Sequence, residues 1–348
     1  MAASSTSLNS QFSAGSSNDG RSVGQVIEPD DSENLSEVGE RTEEDSTKSL
    51  RDSIFNYIQE NGRTYHSYMA GSYMLPNDLA ENERLDLAFY VYKVLFGGRN
   101  IFAPLNAPIK IMDLGTGTGK WAIEVAREFP NAQVIGTDLS PIQPEWYPAN
   151  VKFIIDDASE DDWMMPPNSI SYIHTRTMLG SFTDFRDVVR KAFRYVEPGG
   201  WFESQEVYPS IYCDDGTMPA DWPLLRWAKL HDEAAMNMGR PLRIANKLKR
   251  WYTEAGFVDV KEEVFKVPIN PWPKDPQFKL IGRFHERNML DGLQGFSLAF
   301  FHRGLGWTKE EIEVYLVDVR KALQDKRVHA YQKVYVVWGR KPENITSK

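Results

Sequence analysis

Residues 111–119, IMDLGTGTG, place three glycines at alternate positions directly after an apolar run. A buried strand that turns sharply into a helix needs such a sequence. Glycine reaches positive φ without steric cost and lets the backbone approach a ligand, while the free amides at the start of the following helix favour a negative group. The stretch therefore marks both a fold and a ligand position.

The surrounding pattern supports this. Short apolar runs at 109–114, 133–137, 151–155, 169–174 and 201–207 alternate with helical periodicity at 120–129 and 184–196. Such runs suit strands covered on both faces, joined by crossover helices. The prediction is one doubly wound α/β sheet, mostly parallel, with its ligand at the carboxyl ends of the strands. Upstream, an amphipathic helix is expected around Ile54, Phe55 and Ile58, ended by Asn61-Gly62, and Asp78 is placed to cap a helix over 79–96. Downstream come helices at 222–238 and 243–255 and a strand at 258–267, then a Pro-rich loop leading out to a small helical insertion. A helix capped by Thr308 and a closing antiparallel strand, YQKVYVVWGRK, complete the chain.

Composition narrows the setting. Of 348 residues with a formal charge of −9, the first fifty hold ten acids against three bases, so the remainder is nearly neutral. The folded part lacks the basic field that a phosphate backbone requires, and no direct nucleic-acid binding is expected. Residues 1–50, rich in Ser, Glu and Asp, are expected to be a disordered acidic tail. One cysteine, Cys213, cannot form an internal disulfide, and no charged-then-apolar leader opens the chain. That combination predicts a reducing compartment, cytoplasmic and/or nuclear, and leaves the Asn344-Ile345-Thr346 sequon a chance match. No apolar run approaches the ~20 residues of a membrane span, so no membrane insertion is expected. No metal is expected either.

Three cofactors use a glycine turn of this kind. A nucleoside triphosphate loop would place a glycine at Leu114 and a hydroxyl at Trp121, and fails at both. A dinucleotide fingerprint needs its third glycine at 120, where Lys120 stands; that reading is weakened rather than removed. The third candidate is S-adenosyl-L-methionine, and the stretch from Asp113 through Gly115, Gly117 and Gly119 resembles the first motif of Rossmann-like, class I methyltransferases. In that family the leading acid contacts the methionine part of the cofactor. Asp138 matches the acid that accepts from both ribose hydroxyls, and Asp157-Ala158 matches the site that reads the adenine edge, with Asp156 the alternative one register earlier.

Three further stretches, SYMLPNDLAENERLD, HTRTMLGSFTD and EPGGWFESQEV, are similar to the LaeA-like fungal methyltransferases from about Tyr65 to Arg340, more loosely over 212–303. The resemblance implies a seven-stranded class I sheet with its last strand antiparallel, spanning 109–340. An N-terminal helical lid at 51–108 would fold over the cofactor, an acceptor-side insertion would fall at about 268–307, and 341–348 would be a flexible C-terminus. Tyr73 would lie near the methionine end, with Glu81 and Arg84 close by. The implied activity is S-adenosylmethionine-dependent methyl transfer to a protein side chain or a small natural product, serving secondary metabolism and development. The alternative is a regulatory scaffold of the same fold that acts through protein partners.

A hydroxyl acceptor benefits from a general base. Candidates near the strand ends are His174, Arg176, Glu203, Glu206, Tyr208 and His231. Glu203 and Glu206 have opposite parity in a strand and cannot line one face, and Glu206, nearer the carboxyl end, is favoured beside His174. The aromatic residues from Trp222 to Phe301 suit core packing, with some free to form a lid. Lys247, Lys249 and Arg250 form a weak basic cluster on a helix, the pattern of a solvated face.

Overall fold

The computed structural model describes residues 56–343 apart from Ala70 and Ser72; the expected acidic tail, Ile54, Phe55 and the sequon lie outside the described residues. The chain opens with β1 (Ile58–Glu60) and β2 (Arg63–Tyr65), an antiparallel hairpin. This corrects the sequence prediction of a helix reaching Ile58. Asn61 and Gly62 both have positive φ, 54° and 82°, the requirement of a two-residue hairpin turn.

Helix α1 (Leu79–Leu95) begins where Asp78 accepts from the Glu81 amide at 3.0 Å. The same carboxylate takes a bidentate pair from Arg63, which ties the hairpin to the helix start. The sheet strands are β3 (Lys110–Leu114), β4 (Gln133–Asp138), β5 (Val151–Ile155), β6 (Ile170–Arg176), β7 (Val196–Tyr212), β8 (Val258–Pro268) and β9 (Tyr331–Arg340). Around them lie α2 (Lys120–Glu128), α3 (Phe185–Tyr195), α4 (Pro223–Asn237), α5 (Leu248–Ala255), α6 (Pro276–Leu305) and α7 (Lys309–Gln324).

The sheet order is β5-β4-β3-β6-β7-β9-β8. From β5 to β7 neighbouring strands are parallel; β9 runs antiparallel to both β7 and β8 and lies between them. This is the seven-stranded doubly wound sheet with an antiparallel last strand expected from the sequence. The order steps outward from β3 in both directions, which places the switch point between β3 and β6 and opens a crevice at their carboxyl ends. β7 is longer than predicted, because Pro198-Gly199-Gly200 lies within it and shifts its register against β6 between Ile170 and Tyr172.

Alternation along the strands fills both faces. Ile111 packs with Trp121, Val125 and Tyr172 on one side, Met112 with Ile173, Val188 and Phe202 on the other. A third cluster joins α4, α6 and α7 through Trp227, Leu293, Phe301 and Leu316. The small insertion expected after the Pro-rich loop is one helix of 30 residues, about 45 Å long. It lies against α1, where Gly292 makes the approach possible: a Cβ there would come within 2.6 Å of Arg84 Cδ. Lys341, expected to begin a flexible end, is 2% exposed and donates through Nζ to Asn168 Oδ1 at 2.6 Å and the Val196 carbonyl at 2.9 Å. The anchored chain therefore extends past β9.

Candidate cofactor and acceptor site

The carboxyl ends of β3, β4 and β6 open into a cavity of about 530 Å³, within the usual ~300–1,000 Å³ of small-molecule sites. Its walls bring together Tyr73, Asp113, Gly115, Gly117, Asp138, Asp157, Ala158 and His174. Gly119 and Glu206 are not on the wall.

The three glycines divide by task. All have positive φ, from 58° to 77°. A Cβ on Gly115 would lie 2.5 Å from Met178 Sδ, and one on Gly119 would lie 2.4 Å from the Phe153 ring. Gly117 alone meets only Leu85, at 3.6 Å, so a larger side chain there would project into the cavity. The first and third glycines make room for the protein's own side chains; the middle one keeps the cavity open.

Asp138 ends β4 and accepts from the Gly117 amide at 2.8 Å and the Ser140 amide at 2.9 Å, one through each oxygen. Each oxygen keeps a further acceptor position. Burial pushes this carboxyl up to about 6, against the amide bonds that hold it down. Asp157, after β5, accepts from the Ser159 amide through Oδ1, while its Oδ2 is buried with no partner among the described residues. Asp156 also reaches the cavity wall.

Asp113 and His174 face each other in register on β3 and β6. His174 Nδ1 lies 2.7 Å from Asp113 Oδ1, and Thr116 Oγ1 donates to Asp113 Oδ2 at 2.7 Å. The imidazole stacks on Trp121 at 3.8 Å, 3° from parallel, and its Nε2 is buried and unpartnered. Burial lowers the His174 pKa, with the Asp113 bond opposing.

Glu206 and Glu203 are both fully buried and serve different loops. The Met178 amide donates to Glu206 at 2.8 Å, and the Phe102 and Ala103 amides donate to Glu203 at 2.9 Å each. Opposite parity sends them to opposite faces, as strand geometry requires. Burial pushes the Glu206 carboxyl up to about 8. Glu206 thus holds the loop that presents Met178 to Gly115, and is not placed to touch a ligand.

The N-terminal segment lines the same cavity through Tyr73, Asn77, Glu81 and Arg84. Burial raises the Tyr73 pKa. Asn77 Nδ2 reaches Ser140 Oγ at 3.3 Å, a bridge to the loop after β4. Arg84 donates twice to Glu81, at 2.7 and 3.0 Å, and through Nη1 to Asn288 Oδ1 of α6 at 2.8 Å. Asn288 and its neighbour Met289 were not legible as site residues, because α6 belongs to the stretch with no motif of its own.

Residues 89–262 match the family model of a methyltransferase domain. Methyltransferase pytC of Aspergillus terreus is 39% identical over 299 residues, covering 85% of this chain and 92% of that protein. The secondary metabolism regulator LAE1 of Cochliobolus heterostrophus is 34% identical, covering 83% and 95%, and the regulator laeA of Aspergillus fumigatus is 34% identical, covering 85% and 80%. The chain belongs to the LaeA-like methyltransferases.

A LaeA-like methyltransferase uses S-adenosylmethionine, which supplies an activated methyl group. The cavity suits that cofactor. Asp138 offers two free acceptor positions at a strand end, Asp157 Oδ2 is a buried acceptor awaiting a donor, and Gly117 leaves the turn bare. Among the described residues no helix is long and apolar enough to cross a membrane, and no group of three or more His, Cys, Asp or Glu is placed to hold a metal ion.

Proposed function

We propose that this LaeA-like methyltransferase holds its cofactor along the three strand ends and methylates a small natural product, in the service of secondary metabolism. In this reading Asp138 accepts from the two ribose hydroxyls, Asp157 with Ala158 reads the adenine edge, and Asp113, fixed by His174 and Thr116, faces the methionine ammonium. Tyr73 covers the site, and Gly117 leaves room for the cofactor against the turn. The observation that carries the reading is the convergence of these residues on one cavity, which α1 covers beside the glycine turn and which continues under α4 and α6.

The protein's work is then alignment and exclusion of water, which matter most for an in-line displacement. The lid residues Tyr73 and Asn77 shield the cofactor end. Arg84, neutralised by Glu81 and tied to Asn288, holds the lid helix against α6.

The 34% relatives are named secondary metabolism regulators, which supports a second reading; in it the chain acts through protein partners, in the cytoplasm or the nucleus. One experiment separates the two. Gly117→Val, folded but unable to bind S-adenosylmethionine by calorimetry, is returned to a strain lacking the gene. Loss of the strain's metabolites supports the enzyme; full restoration assigns the role to scaffolding.

A further inference from the structure

The cavity has two ends of different chemistry. The strand-end half carries Asp113, Asp138 and Asp157, whereas the half under α4 and α6 is bounded by Phe182, Trp227, His231, Leu242, Met289 and Phe300. Of the other charged residues on the wall, Asp156 follows β5, Glu81 is already paired with Arg84, and Arg240 is a cation. The two halves meet at the loop after β6, since a Cβ on Gly180 would lie 2.8 Å from Leu242 and 3.4 Å from Phe300.

Within the apolar half one polar group stands apart. His231 is clasped edge-on by Phe300 at 4.5 Å and tilted against Trp227 at 5.0 Å. Its Nε2 is buried and has no hydrogen-bond partner among the described residues. Trp227 is satisfied, donating through Nε1 to Ser297 Oγ at 2.9 Å, so it offers only a ring face to the cavity. A buried polar atom without a partner is costly, and an aromatic enclosure is a poor place to leave one unless a ligand completes it.

The chemistry of the enclosure selects what that ligand is. Burial pushes the His231 pKa down to about 4, so at neutral pH the imidazole is uncharged, with one nitrogen donating and the other accepting. An ammonium or guanidinium acceptor would share this wall with Arg240 and find Glu81 already paired with Arg84, so it would be desolvated at high cost. An aliphatic hydroxyl chain would waste the ring faces. A flat conjugated molecule would stack on Trp227 and Phe300 and carry its hydroxyl to His231.

Resting on the cofactor assignment above, we propose that the acceptor is an uncharged, ring-bearing small molecule with a phenolic or enolic hydroxyl, and that His231 binds that hydroxyl. The imidazole then positions the oxygen and takes its proton as the O–CH3 bond forms and the sulfonium S–CH3 bond breaks, with S-adenosylhomocysteine as the leaving group.

The test uses the full chain and defined probes: 2-naphthol, its methyl ether, 2-naphthylmethylamine, and a lysine-rich peptide, each titrated by calorimetry with S-adenosylhomocysteine present. The expected result is that 2-naphthol binds more tightly than its ether, and that His231→Phe removes this preference by about tenfold, the worth of one buried hydrogen bond. His231→Asn serves as a second variant, expected to retain part of the preference through its amide. Binding of S-adenosylhomocysteine to each variant reports that it is folded and that the cofactor assignment stands. Failure of the wild-type protein to bind S-adenosylhomocysteine would overturn the cofactor assignment instead. With cofactor binding intact, a naphthol preference that survives in both variants, or selective binding of the amine or the peptide, overturns the role of His231 and the acceptor class.

Discussion

Asp138 shows how much one side chain can carry at this site. Its two oxygens are each half-used by an amide of the protein, which fixes the carboxylate and aims the remaining lone pairs at the cavity. Asp138→Asn is expected to weaken S-adenosylmethionine binding by roughly tenfold or more, because the amide turns a donor toward one of two hydroxyl partners. Calorimetry giving equal affinities would place the residue outside the cofactor's reach. The carboxyl's position at about 6 adds a pH signature. Binding needs the anion, so affinity should be flat above pH 7 and fall as pH drops through 6, by up to tenfold per unit. Stability of the unliganded protein should move the other way. Between the ordinary value of 3.8 and about 6 the folded state holds the proton more tightly than the unfolded chain, so stability from this group is lost as pH rises through that window. The Asn variant should show neither trend. Which acids follow which strands was legible in the sequence, since each ends an apolar run. The role of Glu206 was not: its partner, the Met178 amide, is 28 residues distant and becomes a neighbour only when β6 and β7 pair.

Among the elements, the segment ahead of α1 departs most from expectation and bears most on activity. Asn61-Gly62 carries two meanings, helix stop and hairpin turn, and only the short strands on either side decide between them. If the segment from Tyr65 to Asp78 covers the cofactor, its amides should exchange more slowly once S-adenosylhomocysteine is bound. Tyr73→Ala should then reduce turnover far more than it reduces cofactor affinity, because water exclusion matters most at the reacting methyl. Unchanged exchange in hydrogen-exchange mass spectrometry, together with a stability loss in Tyr73→Ala and no catalytic loss beyond it, would make the segment part of the core alone. The helices after β7 were legible as elements from their periodicity and caps, Thr308 with Glu311 forming a full capping box. Their placement was not legible. Nothing in residues 276–305 states that the helix lies against α1, a contact that Gly292 and Arg84 make possible only in three dimensions.

At the scale of the whole molecule, the doubly wound sheet and its closing antiparallel strand were legible in the sequence, while the place of that strand between β7 and β8 was not. Strand β9 inserts between β7 and β8, and the residue after it, Lys341, donates through its ammonium to the Phe193 carbonyl at the end of α3 and the Val196 carbonyl at the start of β7. Cationic groups at a helix C-terminus satisfy carbonyls that have no partner in the helix. Lys341→Met should leave them unpaired at a cost of about 1–3 kcal/mol, lowering the melting temperature by several degrees, at ~2–4 °C per kcal/mol for a chain of this size. Cofactor affinity should be unchanged, since Lys341 is no part of the cavity wall. A variant that melts with the wild type would show that water takes over those bonds.

The place of β9 also sets a timetable. A ribosome delivers the chain from its N-terminus at roughly 5–20 residues per second, and β7 and β8 emerge well before the strand that must come between them. Until β9 arrives each has an open edge, and open edges invite pairing with the wrong chain. The sheet is therefore completed only once residues 331–340 have emerged, and the cavity, which borrows Gln332 from β9, is completed with it. A nascent chain stalled before residue 331 is expected to depend on chaperones, whereas the released chain carries its own closing piece.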